Sequence, residues 1–392
     1  MASSSIDPRP HLRPHPLGHH ALVLLCVLAH TALTGARVAV SLQALALGAP
    51  ALGFGLLLAS FAIVPTLGSL AIGRWIDRIG TRRPLLLGLA AQVSGLAAAA
   101  LAPQSLVGLG AAAVLGGGGY SMALLALQSQ LGRRDEPQRS AAFASFGIGT
   151  SVSIGLGPFI AGHGLSSAGA AFTFALLGLL PLAAAVGAGF GRRHLHARRG
   201  SAASQRAAAA AGGAVLRDPA LRRILIADLL MALGWNANGF LLPLYATQQG
   251  WSAATVGDLG AAFGLGVGLV RLGSAAWRRR VGDWTTIRTT LISAGGCFAL
   301  LPLLPALTWA LLLQFVLGVG LGIALPSVMA LLHAQSPAER QAETLGLRIV
   351  MLNASYLAVP LLLGGLGAAA GVSMLLWSLG GSLSIGAVWF RR

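Results

Sequence analysis

Lysine is absent from this chain, and charge of either sign is scarce. Of the 392 residues 9% are charged, with 10 acidic side chains and 27 basic ones, all of them arginine. Hydrophobic residues reach 55% and the mean hydropathy is +0.76, a composition that excludes a soluble globular domain. The two cysteines, Cys26 and Cys297, lie in apolar runs and are too few for a metal-ligand set, so no disulfide, metal or cofactor is expected.

Long apolar runs indicate how many times the chain crosses a membrane. A spanning helix needs about 20 mostly apolar residues, so the chain is long enough for twelve with short connections. Polar interruptions divide the apolar sequence into twelve runs of about this length. The runs predict an all-α membrane protein with twelve transmembrane helices. The predicted helices lie at 21–44, 51–72, 84–102, 106–128, 140–162, 168–190, 222–246, 254–276, 287–305, 308–333, 344–368 and 371–390.

The arginines mark one side of these helices. All but Arg37 and Arg271 of the 27 arginines lie at the termini or in and beside the connections that follow even-numbered helices. By the positive-inside rule these segments are cytoplasmic, which predicts cytoplasmic N and C termini and a multi-pass protein of the cell inner membrane. The net charge of +17 therefore reflects topology in the lipid bilayer, and no nucleic-acid partner is expected.

The longest connection divides the predicted helices into six and six. The predicted organisation is a cytoplasmic leader at 1–20, a first six-helix bundle at 21–190, a basic linker at 191–221 and a second six-helix bundle at 222–392. A Pro-x-x-x-Gly pattern occurs at Pro158 to Gly162 and again at Pro360 to Gly364. Two parallel six-helix repeats with a substrate site between them form a known transporter architecture, and this weak repeat agrees with it.

A charged motif follows the second predicted helix. The segment Gly73-Arg-Trp-Ile-Asp77-Arg78-Ile-Gly80-Thr-Arg82-Arg83 resembles motif A of the major facilitator superfamily, and the resemblance covers essentially the whole chain. It implies two six-helix bundles that bind a small-molecule substrate between them and transport it by alternating access. It also implies that Asp77 latches the halves together in the outward-facing state, against the start of helix 11 at Glu343–Arg348. The alternative is an ordinary basic loop.

Helix 5 carries a second resemblance. Gly157, Pro158 and Gly162 are similar to motif C, which is typical of exporters in this superfamily, although Ala161 replaces a glycine of the fuller pattern. A proline-kinked and closely packed helix is the alternative interpretation. Helix 4 lacks the arginine expected of motif B in proton-coupled drug antiporters, so protons stay only a candidate coupling ion.

Polar side chains inside the predicted helices are candidates for a substrate cavity. In helix 1, His30, Thr34, Arg37 and Ser41 share one face. An arginine that faces lipid is costly, so Arg37 is predicted to face the cavity, with snorkelling to the external interface as the alternative. The other cavity candidates, for which packing is the alternative, are Trp235, Asn238 and Tyr245 in helix 7 and Asn353 and Tyr356 in helix 11.

One further pair of charges lies at shallow cytoplasmic depth. Asp228 in helix 7 and Arg271 in helix 8 are expected either to pair or to snorkel separately. If they pair, a structural or gating role is favoured over substrate binding, and Asp228 becomes the candidate intramembrane carboxylate for proton coupling. His30 is the other titratable candidate because its ordinary pKa is near neutrality.

These features favour a monomeric secondary transporter of a small organic solute, with export favoured over uptake. Uptake or exchange of an organic anion is the alternative, because Arg37 and His30 would attract one. A membrane-embedded enzyme is disfavoured because the sequence has neither an H-E-x-x-H motif nor paired catalytic carboxylates. An ATP-driven pump is disfavoured because the sequence has no phosphate-binding G-x-x-x-x-G-K-[ST] loop.

Overall fold

The helices lie close to where the apolar runs predict them. The computed structural model describes residues 18–132, 136–190, 215–337 and 340–390, so the predicted leader up to residue 17 and linker residues 191–214 lie outside the described residues. The helical runs are α1 His19–Ala46, α2 Ala51–Ile79, α3 Arg82–Leu101, α4 Leu106–Gly132, a long run Glu136–Phe190, α7 Pro219–Gln248, α8 Ala253–Val281, α9 Asp283–Leu300, α10 Leu307–Gln335, α11 Gln341–Ala370 and α12 Val372–Trp389.

The long run reverses direction at one residue. Gly169 has φ 79° and ψ 178°, a conformation that is essentially restricted to glycine, and it divides the run into α5 (136–168) and α6 (170–190). The sequence predicts a connection at 163–168, but that stretch is helical. Ser167 donates a hydrogen bond to the carbonyl of His163, one turn earlier, at 2.7 Å, and the stretch contains no proline to stop the helix.

The charged motif after the second apolar run is also more helical than the sequence predicts. α2 continues through Gly73 and Asp77 and ends at Gly80, whose φ of 87° terminates the helix. The apolar run marks only the part of a helix that lies in hydrocarbon, so the sequence alone places the polar end of α2 in the connection to the next helix. Gly73 and Asp77 therefore lie in the last turns of α2.

The helices confirm an all-α membrane protein. Among the described residues, ten helical runs are long and apolar enough to cross a membrane, with α5 and α6 counted as one run. α9 is not among the ten, because its first half contains Asp283 and Arg288 together with four threonines. Two of these hydroxyls bond to backbone carbonyls, Thr286 to Gly282 at 2.8 Å and Thr290 to Gly320 at 2.9 Å, which lowers the cost of placing them in an apolar setting.

The turns repeat with a fixed spacing along the chain. Six described glycines have positive φ, and they form the pairs Gly48 and Gly250, Gly80 and Gly282, and Gly169 and Gly371, each 202 residues apart. The members of each pair have φ values within a few degrees of each other. Pro158 and Pro360 share this spacing, so the turns extend the weak sequence repeat to corresponding helix ends.

The helices pack as two groups. Helices α1–α6 contact mainly one another, as do α7–α12, and the groups meet chiefly where α5 contacts α8 and where α2 contacts α11. Glycines allow close approach at these junctions, as small residues do in membrane helix packing. A Cβ added to Gly162 would lie 2.7 Å from the Cα of Gly257, and one added to Gly364 would lie 2.8 Å from the carbonyl oxygen of Ala51.

Candidate functional site

A cavity of about 140 Å³ lies between the two groups of helices. Its wall takes residues from α1, α2 and α5 on one side and from α7, α8 and α11 on the other. The wall is largely apolar, and prolines or glycines of α5, α7, α8 and α11 contribute to it. Its polar and amphipathic side chains are Thr34, Arg37, Trp235, Asn236, Asn238 and Tyr356.

Arg37 brings a positive charge into this wall. Its guanidinium carbon lies 5.5 Å from the ring centroid of Phe61 in α2 and 5.4 Å from that of Tyr356 in α11. Its Nε is buried without a hydrogen-bond partner, and no carboxylate among the described residues pairs with it. Aromatic faces attract the cation without accepting its N–H bonds, so the donors of the guanidinium remain available to a ligand.

The position of Arg37 is set by the contact between α1 and α5. The hydroxyl of Thr34 donates to the carbonyl of Ser153 at 2.8 Å, and the hydroxyl of Ser153 donates back to the carbonyl of Val27 at 3.1 Å. A Cβ added to Gly35 would lie 2.9 Å from the carbonyl oxygen of Gly157. Gly157 therefore serves the close contact with α1, and this contact places Arg37 at the junction of the two groups.

The predicted stripe on helix 1 divides in the structure. Thr34 and Arg37 line the cavity, whereas His30 and Ser41 do not appear in its wall. The His30 ring lies 5.1 Å from the ring of Tyr120 in α4, and its Nδ1 is buried without a partner among the described residues. The hydroxyl of Ser41 donates to the carbonyl of Arg37 at 2.7 Å, so it is satisfied within its own helix.

The predicted residues of α7 and α11 also divide. Trp235, Asn238 and Tyr356 line the cavity. Tyr245 is buried elsewhere, where its hydroxyl donates to the carbonyl of Leu301 at 3.0 Å. Asn353 contributes a backbone carbonyl that accepts a bond from Thr66 in α2 at 3.1 Å, and its side chain is not part of the cavity wall.

Three residues at the site were not among the sequence candidates. Asn236 lines the cavity and donates to the Ser355 hydroxyl at 3.1 Å; an amide inside an apolar run was a usable signal for it. Gln314 of α10 exchanges two hydrogen bonds with Asn238, both 3.1 Å. Phe61 gave no signal, because a phenylalanine in an apolar run looks like any packing residue.

Of the two alternatives left open for Asp228 and Arg271, pairing does not occur. Asp228 Oδ2 lies 2.8 Å from Nε of Arg348 in α11, and Nη2 of Arg348 donates to Oδ1 at 3.3 Å. Arg271 instead donates to the Gly147 carbonyl and to the Ser151 hydroxyl of α5. The reason is that α7 and α8 hardly touch each other. α7 packs mainly on α10, α11 and α12, and α8 packs mainly on α5 and α10.

Asp77, the acidic residue of the charged motif at the end of α2, has no partner among the described residues. Asp77 is half-buried and makes no ion pair or hydrogen bond with any residue that the structure describes. A Cβ added to Gly55, near the other end of α2, would collide with the carbonyl oxygen of Pro360 of α11. α2 therefore contacts α11 closely away from the motif.

The two groups are joined tightly at the opposite end of the molecule, which we call the arginine-poor end because the turns at Gly48 and Gly250 there contain no arginine. His163 Nε2 of α5 lies 2.8 Å from Asp258 Oδ1 of α8. The hydroxyl of Ser166 accepts a bond from the backbone N–H of Ala254 at 2.9 Å. These contacts close the junction on this side of the cavity.

A helical membrane protein with a central cavity between two groups of helices has the architecture of a transporter. Residues 22–347 match the family model described as Major Facilitator Superfamily. Because this match covers most of the chain, the chain belongs to the major facilitator superfamily, and the predicted resemblance is confirmed. No curated protein sequence gives a significant match.

Solved structures with the same fold are transporters of different solutes. A peptide transporter POT in complex with sulfate is 18% identical over 98% of this chain and 97% of its own, with a TM-score of 0.77. A mutant of the nucleoside transporter NupG is 12% identical over 96% and 100%, with a TM-score of 0.77. The human organic anion transporter MFSD10 (TETRAN) is 17% identical over 98% and 100%, with a TM-score of 0.66. At these identities the likeness shows the fold alone.

Removing one partner of the Asp228–Arg348 pair should destabilise the protein strongly. The two side chains are 8% and 13% exposed, and breaking a buried pair costs about 3–5 kcal/mol. Asp228→Asn should therefore lower the thermal unfolding temperature of the purified protein well below that of Asp283→Asn. The control breaks the Arg278–Asp283 pair, whose side chains are each 26% exposed, and should cost about 1 kcal/mol or less. Equal unfolding temperatures would contradict a structural role for the buried pair.

Proposed function

We propose that this chain is a twelve-helix secondary transporter with cytoplasmic termini that moves a small organic anion through its central cavity. The unpaired guanidinium of Arg37 in the cavity wall carries this proposal. The sequence favoured export of an organic solute and kept an organic anion as the alternative; the cavity supports the anion. Export remains the direction that the helix-5 motif favours, with protons as the candidate coupling ion.

The electrostatic argument begins with the cost of the charge. Burying an unpaired ion costs several kcal/mol even after the protein relaxes, and the Phe61 and Tyr356 rings offset only part of that cost. An anion in the cavity would supply the missing charge and accept the free N–H bonds. A guanidinium binds a carboxylate through two parallel hydrogen bonds, so an organic acid suits it well.

The contacts between the helix groups support alternating access. The His163–Asp258 pair and the Ser166–Ala254 bond close the arginine-poor end, and at the other end Asp77 has no partner among the residues that the structure describes. If the arginine-rich end is cytoplasmic, the missing Asp77 contact favours an inward-facing conformation, in which Arg271 of α8 still bonds to Gly147 and Ser151 of α5. In the outward-facing conformation the first set of contacts would break, and Asp77 would meet the start of α11, as the motif resemblance implies.

Substitution of Arg37 tests the proposed function. A hydrogen-bonded charge contributes about 1.5–3 kcal/mol, which corresponds to a roughly 10- to 150-fold loss of affinity. We expect Arg37→Leu to abolish transport, and Arg37→Lys to retain partial transport, because lysine keeps the charge but not the fork of donors. Organic acids would first be screened for those that raise the thermal unfolding temperature of the wild-type protein. Transport of these acids, in labelled form, is then measured by counterflow into proteoliposomes.

The control for this experiment is Arg280→Leu, which removes the same charge from an exposed position at the end of α8. It should transport at the wild-type rate. Normal transport by Arg37→Leu at normal abundance would show that Arg37 does not bind the solute, and full replacement by lysine would favour an arginine that only snorkels to the membrane interface.

A cross-link across the arginine-poor end tests alternating access. Ser166→Cys with Ala254→Cys, in a background carrying Cys26→Ala and Cys297→Ala, should form a disulfide because the Ser166 side chain already reaches the Ala254 backbone. Oxidation should stop transport and reduction should restore it. Leu96→Cys with Gly178→Cys is the matched control within the first group, since a Cβ added to Gly178 would lie 3.6 Å from the Cβ of Leu96, a spacing that a disulfide spans. Undiminished transport by the oxidised Ser166–Ala254 pair would contradict opening at this end.

A further inference from the structure

The cavity also limits what kind of anion can bind. Building on the proposed function, we propose that the solute is an amphipathic monoanion, with one carboxylate at Arg37 and an apolar, ring-sized body against Trp235 and Phe263. Three observations carry this proposal: the distribution of charge in the wall, the size and lining of the space, and the hydrogen bonds already made by the wall amides.

The wall offers one charge and no counter-charge. Among the described residues that form it, Arg37 is the single ionised side chain. The position 202 residues later, which corresponds to Arg37 by the spacing of the paired turns, is Gly239, and it also lines the cavity. A second anionic group would find no cation on that side, and an ammonium group would find no carboxylate. In a low-dielectric site either unpaired charge is costly, so dianions and zwitterions are disfavoured.

The space matches a small ring. An apolar cavity of roughly 150 Å³ in another protein binds benzene, and the present cavity measures about 140 Å³. The rings of Trp235 and Phe263 lie edge to face with centroids 5.0 Å apart, and they form an aromatic part of the wall. A ring packed there would gain both area burial and aromatic contact.

The wall amides are already engaged. Asn238 and Gln314 satisfy each other through two reciprocal bonds, and the Asn236 amide nitrogen donates to Ser355. The N–H groups and lone pairs that these amides keep free are too few for a body rich in hydroxyl groups, and leaving buried polar groups unpaired is costly. An uncharged apolar body has no such requirement.

The experiment compares ligands that differ in one property each. Binding to purified protein in lipid nanodiscs would be measured by calorimetry for benzoate, cyclohexanecarboxylate, benzamide, acetate, terephthalate and 4-(aminomethyl)benzoate. Benzoate and cyclohexanecarboxylate should bind at least about tenfold more tightly than the other four. Of these, benzamide is neutral, acetate has no apolar ring, terephthalate is a dianion and 4-(aminomethyl)benzoate is a zwitterion. Trp235→Ala should weaken benzoate more than acetate, by about tenfold for benzoate. Trp309→Ala removes a half-exposed tryptophan outside the cavity wall and should leave the order of affinities unchanged.

The outcomes separate this inference from the proposed function. If acetate, terephthalate or the zwitterion binds as tightly as benzoate, and Arg37→Leu abolishes that binding, the solute is an anion but need not be an amphipathic monoanion. The inference is then wrong, while the proposed anion transport stands. If no anion in the series binds in a manner that depends on Arg37, the inference and the proposed function both fail. Tight benzoate binding that is lost in Arg37→Leu and weakened in Trp235→Ala supports both.

Discussion

Arg37 places a positive charge inside a protein that is surrounded by the hydrocarbon of the bilayer. Side chains of α2 and α11 and the central cavity lie around that charge. Two aromatic rings from different helix groups hold the guanidinium, and the cavity leaves room beside it. A buried charge without a partner is tolerated only where something compensates for it. The structure supplies partial compensation through the rings, and a bound anion would supply the rest.

The close packing of small residues makes this arrangement compatible with movement. In a bilayer, helices associate through van der Waals contact between backbones, which glycine permits. The junctions between the two groups use glycine at Gly162 and Gly257 in this way. The charged contacts across them are those of His163 with Asp258 and of Arg271 with Gly147 and Ser151. The proposed alternating access would exchange such contacts while the glycine surfaces slide or separate.

Much of the fold follows from the sequence, because apolar runs and the positions of arginine reflect the bilayer directly. The placement of Arg37, Trp235 and Tyr356 in one cavity could also be predicted, since an intramembrane arginine and polar or aromatic residues in apolar runs stand out. His30 and Tyr245 share those features but have other neighbours. Helical periodicity shows which residues share one face of a helix. It does not show which helix or cavity lies against that face.

The remaining features depend on which helices become neighbours. Asp228 pairs with Arg348, 120 residues away, because α7 packs on α11, and no pattern along either helix indicates this. The single-residue turn at Gly169 escaped prediction because one glycine among 54 carries little information. Its counterpart Gly371 becomes apparent only when the turns are compared at the 202-residue spacing.

The most direct test of the account is an experimental structure of the protein in lipid nanodiscs with benzoate present. The account predicts density in the cavity with a carboxylate oxygen about 3 Å from a nitrogen of Arg37 and the ring against Trp235. An Arg37 that instead pairs with a carboxylate of the protein or with a lipid headgroup, beside a cavity without benzoate, would contradict it.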